Sequence, residues 1–95
     1  MPKRPEDTPP IADSPQNLIA GRALRRARDL IEVNQEDFGK AIGQRLRVAA
    51  YGQSAVSDWE TGNRQVPAAA LIAAAEVARV DLCELFSAAA GRRYP

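Results

Sequence analysis

The sequence predicts an all-α fold, a compact bundle of five short helices. Three observations predict it. Apolar residues recur at three- and four-residue spacing in successive segments, helix start and stop signals punctuate the chain between them, and no stretch alternates apolar with polar residues as a strand would. A chain of 95 residues has room for one such domain.

Five of the seven prolines (Pro2, Pro5, Pro9, Pro10, Pro15) fall in the first 15 residues, with only Ile11 and Ala12 available to bury. Residues 1–14 are therefore expected to form a disordered tail, in which Glu6, Asp7 and Asp13 offset Lys3 and Arg4. Ser14 and Pro15 read as an N-cap and a first helical residue, the position where a missing N–H costs nothing. Leu18, Ile19, Leu24, Ala27 and Ile31 follow at helical spacing and predict a first helix over about 15–32. Arg22, Arg25, Arg26 and Asp29 mostly occupy its other faces.

Asn34 is a good N-cap, Asp37 stands where a capping box places its acid, and Val33 and Phe38 have the spacing of a hydrophobic staple. A second helix should start at Gln35 and bury Phe38, Ala41 and Ile42. Gly43 offers one end for it, but Leu46 lies one turn beyond Ile42 and Gln44 to Ala50 holds no Gly or Pro, so an extension to about Arg47 is expected. A third helix fits Gln53 to Thr61, after Gly52 and before Gly62. At 100° per residue, Ala55, Val56 and Trp59 share one side; Gln53, Ser54, Ser57, Asp58 and Thr61 share the other. Pro67 opens an alanine-rich fourth helix to about Val80, whose main apolar positions are Leu71, Ile72, Ala75 and Val77. Asp81 caps a fifth that carries Leu82, Leu85 and Phe86. The domain thus spans 15–90, and residues 91–95 read as a frayed tail.

Composition narrows the chemistry. Alanine supplies much of the 45% hydrophobic content and aromatics only 5%, so the core must come from narrow aliphatic stripes and has little room for an elaborate active site. Histidine is absent, which excludes Ser/His/Asp and Cys/His catalysis, His-containing zinc sites and a His-based pH switch. Cys83 is the single cysteine, so neither an internal disulfide nor a Cys₄ site can form, and the chain reads as reduced and cytoplasmic. Cys83 is expected to pack as a small apolar residue near Leu82 and Phe86. No Gly-rich phosphate loop occurs, and capping, groove exposure and helix bridging account for Glu36, Asp37, Asp58 and Glu60. No enzymatic activity, cofactor, metal or membrane partner is expected. Formal charge is +1, so any basic surface must be local. Lys40, Arg45 and Arg47 lie in Phe38–Ser57 with no acid among them.

The informative unit is Gln35-Glu36-Asp37-Phe38-Gly39 with Ala41-Ile42-Gly43, followed by Gln53-Ser54-Ala55-Val56-Ser57-Asp58-Trp59-Glu60-Thr61-Gly62. Together with Leu24-Arg25-x-x-Arg28, Val66-Pro67 and Leu82-x-x-Leu85-Phe86, it resembles the phage-repressor and Cro-like helix-turn-helix family, often called XRE-like, over residues 18–86. The resemblance implies a bundle of the lambda-repressor-like helix-turn-helix type. It also implies a sequence-specific double-stranded DNA-binding regulator, more often a repressor, acting as a homodimer with recognition helices about 34 Å apart.

Helix 53–61 then becomes the recognition helix, with Gln53, Ser54 and Asp58 at the family's main base-facing positions and Ser57 beside them. A glutamine can pair with adenine N6 and N7, whereas a carboxylate accepts from cytosine N4 but repels phosphate. Asp58 is thus a departure that suits specificity more than affinity. Gln35 matches a residue that contacts a phosphate and braces the first recognition-helix side chain; an ordinary solvated glutamine is the alternative. Arg28 and Glu60 match a structural salt bridge between helices 1 and 3. Lys40, Arg45, Arg47, Tyr51 and Arg64 are the remaining phosphate-contact candidates, against the alternative of a solvated charged surface.

The chain departs from the family between Gly43 and Gly52, where about seven extra residues replace a tight turn. A wing-like loop or a longer helix 2 would accommodate them, and an extension followed by a short loop at 49–52 is favoured. Tyr51 would then either donate to a phosphate or pack beside the helix pair, and Trp59 is expected in the core rather than stacked on a base. The helix 4 alanines suit either a dimer seam or simple helix formation. A second functional reading is an antitoxin-like or adaptor module that engages a protein through helix 5 or the N-terminal tail.

Overall fold

A computed structural model describes residues 15–90; the two expected tails, 1–14 with the Ser14 cap and 91–95, lie outside the described residues. Five helices follow in order: α1 (Pro15–Ile31), α2 (Gln35–Leu46), α3 (Gln53–Thr61), α4 (Ala68–Ala78) and α5 (Leu82–Ala90). The described residues contain no strand. The fold is the all-α five-helix bundle that the periodicity predicts.

Local chemistry accounts for most of the boundaries. The Asp37 N–H donates to the Asn34 side chain at 2.7 Å, capping α2, while Glu36 and Asp37 face the positive end of its dipole. Asp81 does the same for α5, accepting from the Cys83 N–H at 2.9 Å. Gly62 closes α3 in the left-handed region (φ 82°), a conformation that costs glycine nothing.

Other helix ends carry no such signal. Glu32, Arg47 and Arg79 turn the chain at φ 54°, 59° and 59°, although each bears a Cβ. At the end of α4 the Arg79 and Val80 N–H groups donate back to the carbonyls of Glu76 and Ala75, so the helix stops at Ala78, short of the expected Val80. Pro67 likewise caps α4 from outside it. Arg47 ends α2 in the same way, donating to the carbonyl of Gln44.

The core forms where α1 packs on α3, α4 and α5, and α2 on α3 and α4. Leu24, Phe38, Ile42, Val56 and Leu85 are its largest fully buried side chains, and Trp59 is also in the core. Small residues supply much of the rest. Ala70, Ala73, Ala74 and Ala75 are buried inside the bundle, so these four cannot form a dimer seam; their size lets α4 lie close to its neighbours. Ile72 is 51% exposed instead. On α1 the inward face centres on Ala20, Leu24, Ala27 and Ile31, which leaves Leu18 at its margin, 37% exposed. Cys83 is exposed, contrary to the packing expected for it. The α5 stripe is Leu82, Leu85, Phe86 and Ala89, and Cys83 lies about 100° round the helix from Leu82.

The segment between α2 and α3 is held by two glycines one turn apart. After α2 ends at Leu46, the chain folds back along that helix, and the N–H groups of Val48 and Tyr51 donate to the carbonyls of Gly43 and Gly39 at 3.0 and 3.2 Å. A Cβ on Gly43 would stand 2.8 Å from the Ala50 Cα, and one on Gly39 would collide with the Tyr51 carbonyl. The helical extension and short loop expected from sequence are thus what forms, and the loop lies on α2 rather than over α3. Gly39→Ala should destabilise the fold by about 2–3 kcal/mol, as overpacking against backbone does, with the loss read from urea unfolding. Arg79→Gly should stabilise it by about 0.5–1 kcal/mol, because relief of left-handed strain exceeds the added unfolded-state entropy; an unchanged midpoint would contradict that strain.

Candidate nucleic-acid interface

Helix 3 divides as its sequence dictates. Val56 and Trp59 are buried, Gln53, Ser54 and Thr61 are exposed, and Ser57 and Asp58 are half-buried. The polar side therefore stands open at its N-terminal end, next to the start of α2. Thr61 is turned back on its own helix, its hydroxyl donating to the Ser57 carbonyl at 2.9 Å.

A chain of hydrogen bonds joins this surface to the interior. Arg28 of α1 donates to Glu60 of α3 through Nε at 2.7 Å and Nη2 at 3.0 Å, a bidentate pair. The side chains are 16% and 3% exposed, so the charges are largely removed from water. The third guanidinium nitrogen donates to the Val33 carbonyl at 3.0 Å, which ties the α1–α2 turn to the pair. The hydrogen bonds to Glu60 raise the Arg28 pKa above its ordinary value against the opposing effect of burial.

Glu60 Oε1 also accepts from Gln35 Nε2 at 3.1 Å, and Gln35 Oε1 accepts from Gln53 Nε2 at 3.4 Å. The polarity of this relay follows from its buried end. An ionised carboxylate only accepts, so Gln35 must turn its NH₂ inward and its oxygen toward Gln53. Gln53 must then donate to Gln35. Its own Oε1 and remaining N–H make no further hydrogen bond among the described residues, an acceptor and a donor on one exposed amide. The bracing of Gln53 by Gln35 and the Arg28–Glu60 salt bridge, both implied by the family resemblance, are therefore present as contacts.

The basic candidates separate into two groups. Arg45 Nε donates to Glu76 of α4 at 2.8 Å, and Arg64 Nη2 lies 3.3 Å from Asp58 Oδ2. Each of these arginines has an acid inside the protein. The hydrogen bond from Arg45 lowers the Glu76 pKa from its ordinary value. Arg45 accordingly points to α4, in a pair whose two side chains stay about half exposed. No sequence signal marks the pairing, because Glu76 lies 31 residues away.

Asp58 is likewise not the bare negative charge that the sequence suggested, since Arg64 offsets it. Among the described residues, Lys40 and Arg47 make no ion pair and are exposed. Tyr51 packs edge-on against Trp59, ring centroids 4.9 Å apart at 64°. Of its two expected placements, packing beside the helix pair is the one found. No group of His, Cys, Asp and Glu able to hold a metal occurs among the described residues, and none of their helices is long and apolar enough to cross a membrane.

No family model, curated protein or solved structure matches this chain.

Removing one partner of the buried pair strands the other charge. Glu60→Ala should lower unfolding free energy by about 3 kcal/mol, and Arg28→Ala should lower it similarly. The double variant should cost clearly less than the sum, a double-mutant cycle in urea being the measurement. Additive losses would mean that the two residues act separately.

Proposed function

We propose that this chain is a sequence-specific double-stranded DNA-binding transcriptional regulator of the lambda-repressor-like helix-turn-helix type. It acts in the cytoplasm as a repressor and as a homodimer, and has no enzymatic role. Helix α3 enters the major groove with Gln53 leading. The observation that carries this reading is the relay from Arg28 through Glu60 and Gln35, which leaves Gln53 offering one acceptor and one donor. That pair complements the N6 donor and N7 acceptor of adenine. A side chain already held by a neighbour loses less freedom on binding, which favours it as a base reader.

Ser54 is exposed beside Gln53 and suits a base edge or phosphate, with Ser57 one turn deeper. Asp58, half neutralised by Arg64, tolerates the nearby backbone and accepts from cytosine N4 where one is presented. Gln35, at the start of α2, takes a phosphate through the backbone N–H groups of Gln35 and Glu36, since the Asn34 cap occupies that of Asp37. Lys40 and Arg47 supply the main phosphate charge. Arg64 joins them on binding if a phosphate replaces Asp58, whereas Arg45 stays with Glu76.

The protein-interaction reading has one observation in its favour. Pairing of Arg45 and Arg64 leaves less free positive charge around α3 than the bare sequence suggests. A salt series separates the two readings, because phosphate contacts give a log K that falls with log salt by about 0.9 per contact.

Gln53→Ala should weaken binding to the selected operator by about 1–3 kcal/mol and leave random duplex nearly unchanged. Lys40→Ala and Arg47→Ala should weaken both duplexes alike and flatten the salt slope by about one each, whereas Arg45→Ala should leave the slope unaltered. These values come from fluorescence anisotropy on an operator chosen from random duplex DNA. Equal loss on both duplexes for Gln53→Ala, or no enrichment of any sequence, contradicts the proposal.

A further inference from the structure

The turn that ends α3 sets a cation beside the acid on that helix's polar side. The N–H groups of Asn63 and Arg64 both donate to the Asp58 carbonyl, at 2.8 and 3.2 Å, so the chain folds back over the last turn of α3. Arg64 Nη2 then lies 3.3 Å from Asp58 Oδ2. Backbone and side chain of Arg64 thus engage one and the same residue. The Arg64 side chain is nevertheless 61% exposed and that of Asp58 38%. An ion pair so open to water contributes little to stability, which leaves its place beside Ser54, one turn along the same face of α3, as the feature with consequences.

We infer that Asp58 and Arg64 read a single C·G base pair as one unit, Asp58 accepting from cytosine N4 and Arg64 donating to guanine O6 and N7. A guanidinium carries its N–H donors in a planar fork, and only one is needed for Asp58. The second N–H of Nη2 and those of Nη1 make no hydrogen bond among the described residues. In the major groove a C·G pair presents the N4 donor and, next to it, the O6 and N7 acceptors. That order complements a carboxylate oxygen beside a two-donor fork. An A·T pair sets its one donor, N6, between the acceptors N7 and O4, so the carboxylate is satisfied there but only one arm of the fork.

Electrostatics favours the couple over either residue alone. A bare carboxylate is repelled by the phosphates that border the groove, whereas the pair is neutral as a whole and enters without that cost. Arg64 is thereby a specificity residue, and its acid is what aims it. Asp58 lies five residues beyond Gln53, about 7.5 Å along the helix axis, and bases follow one another every 3.4 Å or about that. The C·G pair is therefore expected about two steps from the adenine that Gln53 reads. The inference rests on the reading of α3 as the helix that enters the major groove, and it names part of the sequence found there.

The test is selection of bound sequences from random duplex DNA by the full chain and two variants, followed by anisotropy on the selected operator, its A·T replacement at the C·G step, and a random duplex. Wild type should enrich C·G there in one fixed orientation. Arg64→Lys keeps the charge but removes the fork, so it should lose about tenfold in preference for C·G over A·T and hold random duplex within about twofold. Asp58→Ala releases Arg64 to the phosphates: random duplex should bind about threefold tighter while the preference again falls by about tenfold. If Arg64 instead leaves Asp58 for a phosphate, Arg64→Lys retains the whole preference; if the pair only closes the turn, neither variant moves it and the urea midpoint alone shifts. Either result overturns the inference. An operator that keeps the adenine but shows no C·G preference also overturns it and leaves the DNA-binding reading intact, whereas enrichment of no sequence removes that reading and the inference with it.

Discussion

The arrangement of the polar surface depends on one buried acceptor, the Glu60 carboxylate. It takes two hydrogen bonds from Arg28 and a third from Gln35, so α1, α2 and α3 converge on a single charged group. A carboxylate withdrawn from water is tolerable only when it is paired and its lone pairs are occupied. Those requirements set the orientation of the two side chains that lead outward from it. The surface amide of Gln53 is thus governed by electrostatics inside the bundle. A change of sign or shape at Glu60 would be felt at the tip of α3 without any residue there being altered.

The second constraint is steric. The segment between α2 and α3 is longer than a tight turn, and a loop of that length beside a short helix threatens to cover it. Gly39 and Gly43 remove the threat by presenting bare backbone, onto which residues 48–51 fold with hydrogen bonds to the helix carbonyls. The loop becomes a layer on α2, and Tyr51 at its end presses on Trp59. The same contact supports α3 from behind. A segment long enough to obstruct the polar face instead braces it.

Charge pairing redistributes what composition suggests. Three cations in the segment leading to α3, and a fourth just after it, read in sequence as a basic surface. Two of the four have acids assigned to them by the fold, Arg45 through Glu76 and Arg64 through Asp58. Lys40 and Arg47 are the two that make no ion pair among the described residues. For a DNA-binding role, this shifts weight from nonspecific attraction toward the amide and hydroxyl groups of α3.

Sequence by itself determined the number, order and faces of the helices. Those follow from local physics: apolar spacing, the Asn34 and Asp81 caps, and Gly62 where a left-handed turn is needed. It also nominated two pairs, Arg28 with Glu60 and Gln35 with Gln53, through their resemblance to a known pattern, whereas the Gln35–Glu60 hydrogen bond that joins them came from the fold. Helix ends without glycine were less legible, since Arg47 and Arg79 accept left-handed strain only because the carbonyls behind them gain donors. Burial of the α4 alanines over Ile72, exposure of Cys83, the engagement of Arg45 and the placement of Tyr51 were decided by tertiary structure alone. Each depends on a neighbour distant in the chain. Side-chain spacing records which residues share a face, but only the packed bundle determines what that face meets.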